Sequence, residues 1–212
     1  MNPLRIDSAD PDSELIERAV DALLDGGLVV FPTDTLYGLG CDATNPRAVA
    51  RLCEVKGRSP DAPLPVIINH RRLLAQLVED IPPEITPLLD RFWPGPLTIV
   101  LRRRGEALRA VSPTGTLGVR IPDAPVALRL ARGLCRPIVA TSANRTGLPP
   151  CVTAQEVEEL FGAEIQLILD AGPIPGGQPS TVLDLSSDRP QILREGVIAR
   201  ALLRRYLPEI PE

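Results

Sequence analysis

Histidine is nearly absent from this 212-residue chain, with His70 its one imidazole. That argues against a histidine-based hydrolytic triad, for which only this one residue could serve. The four cysteines, Cys41, Cys53, Cys135 and Cys151, form no CxxC pair, which argues against a Cys/His zinc site too. Aromatic residues make up only 3% of the composition, which leaves Leu, Val, Ile and Ala to build the core. No apolar run approaches the ~20 residues that span a bilayer. The N-terminal MNPLRIDSAD has no apolar signal segment. A cytoplasmic protein with reduced thiols, away from membranes, is therefore expected. Positive charge is not in excess either: the net charge is −4, so no global field holds nucleic acid and any RNA contact must be local. Finally, neither GxxxxGK[ST] nor GxGxxG occurs. A nucleotide would have to be held by side chains instead of a phosphate-cradling backbone loop.

What is present fits one α/β domain over residues 1–212. Hydrophobic residues reach 44%, enough for a large core, and the 24 prolines and 16 glycines punctuate apolar runs without clustering. Residues 12–25 carry a helical apolar stripe (Leu15, Ile16, Ala19, Val20, Leu23, Leu24) that stops at Gly26-Gly27. Asn45-Pro46 opens a second helix that fades near Gly57. Further helices are expected over 71–78, 84–92, 126–134 and from about 198, with one opened by the capping-box pair Thr153 and Glu156 and running to Phe161. Strands are expected at 28–31, 64–68, 97–101, 117–121, 138–141, 165–169, 181–185 and 191–193. Helix and strand alternate early and strands dominate late, which predicts an α/β fold with helices packed on a mixed sheet.

The chemistry gathers at strand exits, where loops meet at one edge of such a sheet. Phe31-Pro32-Thr33-Asp34-Thr35-Leu36-Tyr37-Gly38-Leu39-Gly40 follows a buried strand with hydroxyls, a carboxylate and a phenol before flexible glycines. Those groups suit a small polar ligand, or they cap their own turn. Lys56-Gly57-Arg58 places two cations at a solvent-facing helix end, as phosphate clamps or as complements to the helix dipole. Thr141-Ser142-Ala143-Asn144 and the stretch from Gln178 through Ser180 to Arg194-Glu195-Gly196 offer hydroxyl, amide and guanidinium groups. Arg102-Arg103-Arg104 reads as a solvated turn, with RNA phosphates as the alternative.

Taken in order, PTDTLYGLG, KGR, WPGPLT, GVRIP, TSAN, PSTVLDL and LREG resemble the YrdC-like family of threonylcarbamoyl-adenylate synthases over almost the whole chain. The resemblance implies an open, twisted, mixed α/β sheet with flanking helices and a concave basic cavity. It implies condensation of L-threonine, bicarbonate and ATP to threonylcarbamoyl-AMP and pyrophosphate, with Mg2+ carried on the ATP and no protein metal site. A partner transferase complex would then modify the tRNA adenosine beside the anticodon, and direct tRNA contact stays open. By motif, Thr35, Arg120, Ser142 and Ser180 would contact threonine. Lys56, Arg58, Thr116, Asn144 and Arg194 would contact ATP and pyrophosphate, Lys56 and Arg58 being the catalytic cations. The chain ends at Glu212, soon after the last motif, so the resemblance is to the short form. Its Leu148-Pro149-Pro150-Cys151-Val152-Thr153 departs from the usual loop, where a hydroxyl often lies near the nucleotide; Thr153 is read as a helix cap. The rival reading is a non-synthetase relative acting as an RNA- or nucleotide-binding module.

Overall fold

The computed structural model describes residues 2–174 and 177–211, so Met1, Pro175, Gly176 and Glu212 of the expected domain lie outside it. The helices follow their sequence cues. Helix α1 (Ser13–Leu24) is capped by the Asp12 carboxylate, which accepts from Glu14 N and Leu15 N. It turns Ile16, Ala19, Val20 and Leu23 inward, and each large apolar side chain so buried is worth roughly 2 kcal/mol. Helix α2 (Pro46–Lys56) starts on the Asn45 cap and ends where Gly57 turns left-handed at φ 61°. Then come α3 (Arg71–Leu77), α4 (Thr86–Phe92), α5 (Pro125–Leu134), α6 (Ala154–Phe161) and α7 (Arg200–Leu203). His70 caps α3, its ring nitrogen accepting from Leu73 N, and Thr153 with Glu156 makes the expected capping box on α6.

The strands are β1 (Leu4–Arg5), β2 (Val29–Pro32), β3 (Tyr37–Asp42), β4 (Val66–Ile67), β5 (Leu97–Arg102), β6 (Thr116–Arg120), β7 (Ile138–Ser142), β8 (Leu167–Asp170), β9 (Thr181–Asp184) and β10 (Gln191–Arg194). They form one ten-stranded sheet in the order β1-β8-β2-β3-β7-β4-β6-β5-β9-β10. The sheet is mixed: β8 runs parallel to β1 and β2, and β5 parallel to β9, whereas β3 is antiparallel to both its neighbours.

Alternation along each central strand sends side chains to opposite faces. Val29 and Phe31 pack with α1 and α5, while Leu28 and Val30 pack with residues of α2 and α6. The sheet is therefore sandwiched between helices at its centre.

Strand β3 corrects the sequence reading, which took residues 37–40 as the flexible end of a loop. Gly38 and Gly40 serve packing there. A Cβ on Gly40 would lie 2.6 Å from the Val139 carbonyl oxygen and 2.8 Å from the Phe31 ring. Without side chains at these positions, Phe31 closes over the strand pair. The Tyr37 phenol likewise turns into the core, donating to Gly172 O at 2.7 Å and accepting from Ala171 N at 3.1 Å. Burial pushes its pKa up to about 12.

Candidate functional site

One face of the sheet from β3 to β10 is left open as a cavity of about 340 Å³, within the range of small-molecule sites. The β5 register builds its floor. Val100 lies opposite Gly118 on β6 and Asp184 on β9, and Thr98 lies opposite Val182. By the period of two, Thr98, Val100, Gly118, Val182 and Asp184 all face the cavity they line. Loops at strand ends add Thr35 and Ser180, and the turn that ends α2 adds Arg58.

Arg120, at the end of β6, is the best-fixed cation. Its Nε donates to Gly95 O at 2.9 Å, one Nη to Thr35 Oγ1 at 3.2 Å, and the other to the Asp34 carboxylate as an ion pair. Its side chain is only 10% exposed, and burial lowers its pKa although Asp34 opposes that shift. At the far wall, Arg194 donates through Nε to Ser180 O and through Nη2 to Ser180 Oγ, both at 3.1 Å. Burial lowers its pKa first, and the charges of Arg120 and Arg58 add to the effect. Ser180 Oγ shares a further 2.9 Å bond with Thr98 Oγ1. Arg58 anchors one Nη on Pro63 O at 2.7 Å, while its buried Nε has no partner among the described residues.

Of the residues singled out in the sequence, Thr35, Arg58, Thr116, Arg120, Ser142, Ser180 and Arg194 line this one cavity. Lys56 and Asn144 sit behind its wall. The expected solvent-facing position of Lys56 is wrong: the residue is 3% exposed, and its Nζ donates to Ser142 O and Asn144 O at 2.7 Å and to Asn144 Oδ1 at 3.3 Å. Asn144 Oδ1 also accepts from Ser142 Oγ, and its Nδ2 holds Leu148 O, both at 2.6 Å. The ammonium thus locks the Ser142–Asn144 turn that presents Ser142 to the cavity.

Thr33 follows the local-capping alternative, its Oγ1 donating to Leu36 O and accepting from Thr35 N and Leu36 N. The arginine triplet is corrected at its middle residue. Arg102 and Arg104 staple the carbonyls of Ser186, Val78 and Glu79, and Arg103 is buried at 8% exposure. Arg102 and Arg104 are solvent-exposed as the solvated-turn reading expected, and only the buried Arg103 departs from it. Thr98 and Asp184 escaped the sequence reading as site residues. The one available cue was a hydroxyl and a carboxylate among apolar residues of strands that otherwise alternate apolar.

The Sua5/YciO/YrdC family model, described as "Telomere recombination", matches residues 21–196. The chain belongs to this family. Among Sua5/YrdC relatives, the threonylcarbamoyl-AMP synthase of Pyrococcus abyssi is 40% identical over 92% of the chain, which spans 58% of that protein's length. A putative threonylcarbamoyl-AMP synthase of Mycobacterium tuberculosis is 38% identical over 95% of the chain and 94% of its own length. The crystal structure of P. abyssi Sua5 complexed with L-threonine superposes with a TM-score of 0.93 at 37% identity, over 100% of this chain and 63% of that one. The open mixed sheet with flanking helices is thus the Sua5/YrdC fold. Among the described residues, no helix is long and apolar enough to cross a membrane.

Proposed function

We propose that this chain, working as one domain, joins L-threonine, bicarbonate and ATP into L-threonylcarbamoyladenylate with release of pyrophosphate. The observation that carries the reading is the convergence of Arg58, Arg120 and Arg194 with Thr35, Thr116, Ser142 and Ser180 on one cavity. Relatives named threonylcarbamoyl-AMP synthase over most of this chain support it, as does the threonine complex of P. abyssi Sua5.

The reaction needs no side-chain nucleophile, which suits a site built without histidine. The threonine amine adds to the bicarbonate carbon, and water leaves to give the carbamate. A carbamate oxygen then attacks the α-phosphorus and pyrophosphate departs. Both steps demand alignment and neutralisation of negative charge. Arg120 and Thr35, with Ser180 across the cavity, would hold threonine. Arg58, Thr116 and Arg194 would take the phosphates, and Ser142 would sit between the two groups. In this reading Lys56 and Asn144 act on the nucleotide through the Ser142–Asn144 turn they fix. Magnesium would arrive on the phosphates and neutralise charge there. Asp184 is the one carboxylate lining the cavity among the described residues, and its Oδ1 already accepts from Ser186 N at 2.9 Å. That donor set fits a metal held chiefly by nucleotide. The product would pass to a tRNA-modifying threonylcarbamoyl transferase complex in the cytosol, with the tRNA itself held by that partner.

Pyrophosphate release that requires threonine, bicarbonate and ATP together is the expected result in a coupled assay. Pyrophosphate formed at the same rate without threonine would reject the reaction, and ATP binding without any turnover would favour a nucleotide-binding module instead.

A further inference from the structure

Asp34 has no part in the reaction as described so far, yet it sits against the best-fixed cation of the cavity. Arg120 has five N–H donors. Gly95 O, Thr35 Oγ1 and the Asp34 carboxylate take one each from Nε, Nη1 and Nη2. One donor therefore remains on each terminal nitrogen, the fork that a carboxylate accepts. The Asp34 carboxylate offers about four acceptor positions. Among the described residues only Arg120 fills one of them, although the side chain is just 14% exposed. Thr33 and Thr35 on either side of Asp34 both line the cavity. The result is an anion with open acceptor positions paired to a cation with two open donors, next to residues that line the cavity.

An α-amino acid zwitterion has the complementary arrangement, its ammonium one carbon away from its carboxylate. A neutral hydroxy acid or a plain carboxylic acid does not. We propose that Asp34 is a specificity-determining residue that reads the α-ammonium of the incoming amino acid while Arg120 holds its carboxylate. The assignment rests on the threonine reading of the cavity and deepens it. Asp184 cannot take this role: it stands two strands across from β6 and two residues short of Arg120, by register with Val100 and Gly118. That places it ~10 Å across and ~7 Å along the sheet, beyond the span of one amino acid. The same geometry gives the bound ligand a direction. Once the amine has become a carbamate it carries negative charge, so Asp34 repels what it first attracted. The other cations of the cavity, Arg58 and Arg194, lie where the phosphates are proposed to be.

Calorimetric titration without ATP tests this, using L-threonine and its analogue with hydroxyl in place of the amine, 2,3-dihydroxybutanoate of matched stereochemistry. The parent protein should bind threonine at least tenfold more tightly. Asp34→Asn, which keeps shape and removes charge, should weaken threonine roughly tenfold or more and leave the hydroxy acid within about twofold, as expected for loss of a charge-assisted bond. Asp34→Glu should recover part of the preference. A second measurement needs no variant: threonine binding to the parent should weaken as pH passes the amine's own pKa, with the hydroxy acid unaffected. Equal weakening of both ligands by Asp34→Asn would overturn the proposal, leaving Asp34 as a support for Arg120 alone, and so would a parent protein indifferent to the amine. Failure of the parent to bind threonine at all would overturn the threonine reading and this inference together.

Discussion

Lys56 brings three protons to three acceptors, the carbonyls of Ser142 and Asn144 and the Asn144 side chain. Burial, with the Arg58 charge adding to it, lowers its pKa from 10.5 to about 8. The folded chain thus holds this proton less tightly than the unfolded one. Below about 8 the cost of a buried charge is borne in full, and Lys56's contribution to stability improves as pH rises from about 8 to 10.5. Function should move the other way. A neutral amine has two N–H groups for three acceptors, so the Ser142–Asn144 turn loosens. At saturating threonine, kcat/KM for ATP measured by pyrophosphate release should fall above about pH 8. A profile flat across that window would separate Lys56 from the reaction. The buried position of Lys56 was hidden in the sequence for a physical reason. A lysine ending a helix satisfies the dipole in solvent equally well, and its partners lie 86 and 88 residues away.

Among the elements, the segment after β10 lies directly on the one before β9. Gly196 N donates to Thr181 Oγ1 at 2.9 Å and Val197 N to Pro179 O at 3.1 Å. A Cβ on Gly196 would come within 2.0 Å of the Pro179 oxygen and 2.7 Å of the Ser180 carbonyl carbon. Backbone cannot yield as a side chain does, so Gly196→Ala must push Ser180 and Arg194 apart. Denaturant unfolding should show a loss of about 2 kcal/mol, as for overpacked cores. Pyrophosphate release should fall by roughly a hundredfold, the effect of an ångström-scale misalignment. Activity lost only in proportion to unfolding would contradict this. Elements with a local cause were legible: Asn45-Pro46 marks α2, and Thr153 with Glu156 marks α6. Strand β1 was missed because two residues carry no period. Strand β3 was missed because Gly38 and Gly40 read as breakers, when they are needed for the close approach of Phe31 and Val139. In the site, the cations were legible from their motifs. Thr98 and Asp184 were not, because the face of a strand that points to the cavity is decided by register with β6 and β9.

At the scale of the molecule, the sheet is ordered by pairings that sequence proximity does not suggest. Strand β8 lies between β1 and β2, so the N-terminal strands take their neighbour from residues 167–170. A chain cut after Phe161 keeps α1, α5 and most of the strands, but β2 loses its parallel partner and β1 loses every partner it has. Such a fragment should show no cooperative thermal transition and should associate through the exposed edge, seen as early elution in gel filtration. A monomeric fragment with a sharp transition would mean that the sheet closes without β8. The same topology reaches back to synthesis. At ~5–20 residues per second, β2 clears the ribosome on the order of ten seconds before the strand that covers it exists. During that interval an apolar strand edge is presented to the cell, and nascent-chain chaperones would be its first partners.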